Sequence, residues 1–437
     1  MRPLQILKFG GTSVGDASSI RRVAEVVRNA ADESDLVVVV SAMAGVTNSL
    51  LEAAARAEAG DLSAAQAIFT TLRAQHDRVL SSLVHCAEQR TAIHNKMQDC
   101  YEQGEQLCKR AESLRELSLR DRDLISSLGE RLCAPLVAAA LMAYGVRSEA
   151  IEATEIVITD SCHGAANPCM DATRERCAGR VDELLEQGIV PVITGFIGAT
   201  PDGVLTTLGR GGSDYSATIM GAALDANEVI IWTDVNGLMT ADPRVVAEAC
   251  TIPEISYHEA GELARFGAKV LHPKTLRALT QCGIPLWIRN TFAPHLPGTR
   301  ITPAGPAIQR GVKGLTAMVH CEAAGEPAHR NVDDITHDQS AAIVTAVGMD
   351  IRSTEAAARM LGALALAQVN VVAMFEGASG CSVSVVVGGK DKTAALVTLH
   401  REFQLGELSW PALSAASPAV ATAAPYYQSE PAPAEGD

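Results

Sequence analysis

Apolar positions along this chain follow two rhythms. Short β-branched runs at residues 5–9, 36–41, 189–195, 228–232 and 286–288 are apolar at nearly every position, as in strands buried on both faces. Longer stretches between them show helical spacing. After Asp16, a suitable N-cap, Ile20, Val23, Ala24 and Val27 share one face, and residues 215–224 repeat small and apolar side chains at helical intervals. This alternation over residues 1–301 predicts an α/β domain with a mostly parallel sheet sandwiched by helices. Residues 61–119 interrupt it. They contain no proline and only one glycine, Gly104, and they place Ile68 and Leu72, then Val79, Leu80, Leu83 and Val84, at helical spacing. They predict a helical insertion, with His76, His85 and His94 as exposed polar positions.

Residues 312–404 have a different order. A strand at 342–348 precedes a helix at 354–367 carrying Ala357, Met360, Leu361 and Leu364; strands at 369–375 and 381–388 and a helix at 392–403 follow. This β-α-β-β-α order predicts a smaller α+β sandwich. Another strand is expected at 314–321. Residues 322–339 are polar and broken by Gly325 and Pro327, with no apolar helical period. Residues 411–437 are rich in Ala and Pro, a composition that cannot bury a core, and are expected to be disordered.

Composition narrows the choice of function. With 437 residues, 47% hydrophobic and 20% charged, the chain can bury more than one core. A formal charge of −15 argues against a nucleic-acid footprint, and it obliges any nucleotide site to concentrate its own cations. The chain enters a strand almost at once, without a signal-type apolar region, and runs such as 134–143 are too short to span a bilayer. A cytoplasmic protein without membrane contact is expected. The eleven cysteines include no C-x-x-C pair. Cys162, Cys169 and Cys177 with His163 form a local cluster whose spacing fits no common zinc pattern, so reduced structural thiols are expected and no metal site is assigned.

Two glycine-rich junctions carry the candidate chemistry. Residues 209–214 (GRGGSD) lie between a strand and a helix, where backbone N–H groups and an arginine can hold an anion. A tight turn capped by its Ser-Asp pair is the alternative. Residues 8–13 (KFGGTS) form a strand–turn–helix with a lysine at the strand end. They match neither the Walker A spacing nor G-x-G-x-x-G, yet a lysine beside two glycines makes a phosphate cradle.

Six segments in succession resemble the motifs of aspartate kinases, members of the amino-acid kinase family: KFGGTSV at 8–14, SAMAGVTNSL at 41–50, SLGERL at 127–132, TTLGRGGSDYSA at 206–217, WTDVNGLMTADPR at 232–244 and FGAKVLHPKTL at 266–276. The resemblance covers residues 4 to about 300. It implies ATP-dependent phosphorylation of the L-aspartate β-carboxylate to 4-phospho-L-aspartate, with Mg²⁺ accompanying ATP. That reaction opens the aspartate-family route to lysine, threonine and methionine, or an ectoine-type compatible-solute route. A carboxylate nucleophile is already ionised near neutral pH and needs no general base, so cations and in-line positioning carry the reaction.

By the same resemblance, Lys8 and Asp214 are catalytic, Asp214 orienting the lysines. Arg210 pairs with the substrate α-carboxylate and Glu130 with its ammonium group, while Ser41, Thr47 and Ser213 are further substrate contacts. For Ser41 and Thr47, helix capping is the competing reading. Lys8, Gly10, Gly11, Thr233, Asp234, Met239, Arg244, Lys269 and Val270 form the ATP side. Met239 stands where relatives usually carry tyrosine. A kinase for glutamate or an acylated amino acid, and a non-catalytic amino-acid sensor, are the alternatives.

The C-terminal region resembles the ACT modules (ferredoxin-like) found in many aspartate kinases. It reads as one near-complete module plus a remnant strand of another. The resemblance implies a homodimer through this region and an amino-acid effector. The reduction of the first module to one strand implies weak or narrowed feedback inhibition, suited to a dedicated pathway such as compatible-solute synthesis.

Overall fold

The computed structural model describes residues 2–268, 270–306, 311–319, 341–349, 351, 354–377 and 379–407. Lys269, the polar stretch 322–339 and the tail 411–437 lie outside the described residues. The chain begins β1 (Leu4–Phe9), α1 (Ala17–Ala31), β2 (Asp35–Val40), α2 (Val46–Glu58), α3 (Leu62–Leu83), α4 (Ala87–Leu114), α5 (Leu119–Ala143) and β3 (Ser148–Ile151). It continues through α6 (Met170–Glu186), β4 (Val190–Thr194), the hairpin β5 (Ile197–Ala199) and β6 (Leu205–Thr207), α7 (Gly212–Ala223), β7 (Glu228–Thr233) and β8 (Glu254–Ser256). Next come α8 (Tyr257–Arg265), α9 (Pro273–Thr280), β9 (Leu286–Asn290) and β10 (Thr299–Thr302). The C-terminal region holds β11 (Gly311–Val319), β12 (Ala341–Met349), α10 (Thr354–Leu366), β13 (Val371–Glu376), β14 (Ser382–Gly388) and α11 (Lys392–Glu402).

Among the described residues the first sheet has eight strands in the order β3-β4-β2-β1-β7-β9-β10-β8. Every pairing is parallel except β9 with β10. The continuous apolar runs expected of a doubly covered sheet do cover two faces. Leu7, Phe9, Leu36, Val38 and Val40 pack with α1–α5, while Ile6, Val37 and Val39 pack beneath α6, α7 and α9. Asp16 caps α1 as expected, accepting from the Ser19 N–H, and Ile20, Val23, Ala24 and Val27 are its buried face.

The insertion is helical, but of its histidines only His85 is exposed; His94 is half-buried, with Nδ1 3.2 Å from the Asp77 carboxylate. His76 is buried, with its ring edge-on to Tyr101 and Nδ1 2.8 Å from the Leu72 carbonyl oxygen, and burial pushes its pKa down. It falls on the apolar stripe of Leu72, Val79 and Leu83, so helical position prevails over polarity. The apolar run at 134–143 also proves longer than expected. It belongs to α5, whose 25 residues include a window long and apolar enough to cross a membrane, yet 83% of that window is buried inside the protein.

The second sheet is antiparallel, ordered β11-β12-β14-β13, with α10 and α11 packed over one face through Met360, Leu364, Ala395, Leu396 and Leu399. The strand expected as a remnant of another module pairs with β12 from Gly311↔Met349 to Val319↔Ala342, so it supplies the fourth strand of this one sheet. The two regions are not separate bodies. Val347 of β12 belongs to the core beneath the first sheet, while Ala241 and Val246 of the first domain belong to the core of the second.

Candidate active site

Strand order reverses beside β1, the sheet position where open α/β folds place their ligands. The Gly10 N–H donates to the Trp232 carbonyl at 3.1 Å, the Ser41 N–H to that of Phe9 at 3.1 Å, and the Ala44 N–H to that of Gly11 at 3.1 Å. The loops after β1 and β2 are thus stitched to each other and to β7. Lys8 leaves the buried end of β1 and meets Asp214 of α7 at 2.5 Å, both side chains being largely buried. Asp214 sits in the first turn of α7, where the helix dipole favours a carboxylate, and the N-cap is Gly211 in the left-handed conformation. The capping Ser-Asp turn therefore does not describe this junction.

Helix α5 crosses under the same loops. A Cβ added at Gly129 would lie 2.6 Å from the Ala42 Cβ, so only glycine allows this approach, and the approach brings Glu130 to the loop. Glu130 is buried, and its Oε2 has no hydrogen-bond partner. Burial pushes its pKa up to about 8, against the lowering pull of the Ala42 backbone, Lys8 and Ser213. A desolvated carboxyl with a free oxygen is suited to a cation such as an ammonium group.

One cavity of about 610 Å³ is lined by Lys8, Gly11, Ser41, Thr47, Glu130, Arg210, Ser213 and Asp214. The structure thus gathers every residue expected to act on the acceptor. Neither Ser41 nor Thr47 caps α2, whose N-cap is Gly45 without a side-chain cap, which leaves both hydroxyls for the cavity.

The cavity wall also holds residues that sequence reasoning passed over, Arg122, Asp123 and Ser126 among them. Asp123 is buried and accepts from His163 Nδ1 at 2.7 Å, the Gly164 N–H at 3.0 Å and Thr207 Oγ1 at 2.5 Å. It ties α5, the 160–167 loop and the end of β6 into one wall leading to Arg210. The available signal was its position seven residues before Glu130, two helical turns along one face. His163 is committed to this contact. No group of three or more His, Cys, Asp or Glu that could hold a metal exists among the described residues.

Of the residues expected on the ATP side, Lys8 and Gly11 line this cavity, while Thr233, Asp234, Met239, Arg244 and Val270 lie outside it. Thr233 ends β7 next to the Gly10 loop, with its hydroxyl 3.3 Å from the exposed Asp234 carboxylate. Arg244 forks Asp242, with Nε–Oδ1 at 3.0 Å and a terminal nitrogen 2.7 Å from Oδ2, and its side chain is 78% exposed. Met239 forms a backbone bridge with Thr251, whose hydroxyl lies 3.6 Å from its sulfur. Val270 packs half-buried on the core. His272, the N-cap of α9, abuts Gly211, so the FGAKVLHP segment borders the GRGGSD loop.

This sheet, its paired glycine loops and the lysine–aspartate pair at the end of β1 form an α/β site with a cation placed for an anionic ligand. Residues 3–290 match the amino acid kinase family and residues 344–403 an ACT domain; the chain belongs to the amino acid kinase family. It is 36% identical over 301 residues to aspartokinase 1, chloroplastic, of Arabidopsis thaliana, covering 68% of this chain and 52% of that protein. The chain thus spans about half the length of that curated relative. E. coli aspartokinase III in complex with aspartate and ADP (R-state) has the same fold, with a TM-score of 0.78 at 26% identity over 92% of this chain and 100% of that one. The same enzyme with lysine and aspartate (T-state) matches with a TM-score of 0.76 at 27% identity, over 92% of this chain and 99% of that one.

Proposed function

We propose that the protein is a cytoplasmic aspartate kinase that transfers the γ-phosphoryl group of ATP to the β-carboxylate of L-aspartate. The observation that carries this reading is the single cavity in which Lys8, Glu130, Arg210 and Asp214 converge with three hydroxyls. Arg210 holds the α-carboxylate and Glu130 the ammonium group, which turns the β-carboxylate toward Lys8. A β-carboxylate oxygen then bonds to the γ-phosphorus as its bond to the bridging oxygen breaks, giving an acyl phosphate and ADP. No proton moves. Lys8 neutralises charge on the transferring group, and Asp214 fixes the direction of its ammonium group.

The nucleotide lies across the carboxyl ends of β1 and β7, over Gly10, Gly11, Thr233 and Asp234, with Met239, Arg244, Lys269 and Val270 around it. Mg²⁺ would enter this side together with the triphosphate. When bound, that ion screens the β- and γ-phosphate charge.

The exposed edge strand β13 supports a homodimer through the C-terminal sheet. Val372 is 69% exposed and Phe375 39%, beside Leu366 of α10 at 89%, and a second copy would cover this apolar edge. An amino-acid effector acting through this region belongs to the same reading. Acyl-phosphate formation, trapped with hydroxylamine and run side by side with aspartate and glutamate, tests the function. Turnover of glutamate alone, or binding of aspartate without turnover, would overturn it.

A further inference from the structure

Strand β11 closes the C-terminal sheet and also lies along α8 of the first domain. Lys313 of β11 is 1% exposed, and its Nζ sits 2.9 Å from each carboxylate oxygen of the fully buried Glu259. Glu259 also accepts from the Ser256 N–H at 2.9 Å and hydroxyl at 2.7 Å, the capping box that opens α8. Two residues beyond Lys313, the Leu315 N–H donates at 2.7 Å to the carbonyl of Thr240, the neighbour of Met239. Thr316 then donates at 3.0 Å to the carbonyl of Phe266, the C-cap of α8. Ser382 of β14 adds a 2.5 Å hydrogen bond to Glu262 in the middle of the helix. The C-terminal sheet therefore grips α8 at its start, middle and end.

A buried ion pair is a poor adhesive. Desolvating both charges offsets most of their attraction, and apolar side chains of similar volume hold two layers together as well or better. A directional contact fixes position instead. Helix α8 runs into Phe266, Gly267 and Ala268, from which Lys269 and Val270 follow in the chain. Gly267 has φ +114°, and a Cβ there would lie 3.3 Å from the Ala317 carbonyl oxygen, so this turn presses directly on β11.

We infer that Lys313 is a positioning residue for the donor half of the reaction. Through Glu259 it sets the start of α8, and together with Thr316 it holds the turn that leads to the nucleotide contacts. The fourth strand of the regulatory sheet thereby serves as a fixed buttress of the ATP side, with or without an effector. The inference rests on the kinase reading above.

The test uses the full chain with Lys313→Met and Thr316→Val, measuring both Michaelis constants, melting temperature and ADP affinity by calorimetry. Each variant is expected to raise the ATP KM and the ADP Kd about tenfold while the aspartate KM stays within about twofold. Unchanged nucleotide constants in folded variants, or an equal rise in the aspartate KM, would overturn the inference. If Lys313→Met does not fold, Thr316→Val decides alone, since it keeps the side-chain volume and removes one hydrogen bond. A wild-type protein that binds ADP without phosphorylating aspartate defeats the kinase reading and leaves the calorimetric comparison to judge the buttress. A wild-type protein that binds no ADP overturns both.

Discussion

On the acceptor side, charged groups face each other along one cavity wall: Lys8 meets Asp214 at 2.5 Å, and Glu130 is buried with one oxygen unpaired. On the donor side, Arg244 lies in solvent on Asp242, and Thr233 and Asp234 edge an open strand end. Under the proposed function, the ligands account for the contrast. Aspartate is small, and its recognition depends on preformed partners for two carboxylates and an ammonium group. ATP brings its own charge and a large surface, so its site tolerates looser walls, provided that something rigid stands behind the turn at 266–268. In this chain that support comes from the C-terminal sheet.

The strongest way to break the comparison is at the boundary between the two sides. Lys8→Ala should lower kcat by about 10²- to 10³-fold, the cost of removing one preorganised charge partner of the transition state, while the aspartate KM moves little. Steady-state kinetics on a variant with unchanged melting temperature reads this directly. An unchanged kcat would remove Lys8 from the phosphate cradle.

Next in size is Arg210→Lys. It keeps the charge and loses the fork, so the aspartate KM should rise about 10- to 100-fold with the ATP KM close to wild type. If the ATP constant suffers instead, Arg210 belongs to the donor side and the division between the two sides is wrongly drawn.

The acceptor side was also the more legible half in the sequence. Its loops follow strands whose apolar runs are continuous, as at residues 36–40, and its glycines mark close approaches such as Gly129 on Ala42. Local pattern sufficed there. Asp123 escaped notice because its partners His163 and Thr207 stand 40 and 84 residues away, a distance no periodicity spans. His76 carried a readable signal, its place on the stripe of α3, and was misjudged on polarity. The role of β11 could not be read locally, because Lys313 looks like a surface lysine until α8 is folded against it.

A smaller effect tests the enclosure of Glu130. Its carboxyl keeps its proton up to about 8, whereas an exposed glutamate has its usual value near 4.5. Between these values the unfolded chain binds fewer protons than the folded one, so wild-type stability falls as pH rises from about 4.5 to about 8 and levels off above. Glu130→Gln lacks this loss, and its melting temperature should gain on wild type across that window. Aspartate binding should run the other way. The ammonium group needs the ionised carboxylate, so the wild-type aspartate KM tightens with pH up to about 8, while the variant shows no such slope and binds about tenfold more weakly. Parallel melting profiles for the two proteins would mean that Glu130 is solvated after all.

The smallest effect expected is the response to end products. An effector pocket of the usual kind needs a sheet covered by its own helices, and the described residues supply one such unit, with β11 used to complete it. The strand is also held by a buried charge pair and by hydrogen bonds to Thr240 and Phe266, which resist the sliding that an allosteric sheet requires. Lysine, threonine or both, titrated to millimolar concentration against initial rate, should change it by less than about twofold. Any residual change should appear in the ATP KM, because the sheet bears on α8 and not on the aspartate cavity. Strong inhibition by micromolar lysine would show that a complete regulatory site survives, and inhibition expressed in the aspartate KM would show that the two halves of the site are coupled where the contacts keep them apart.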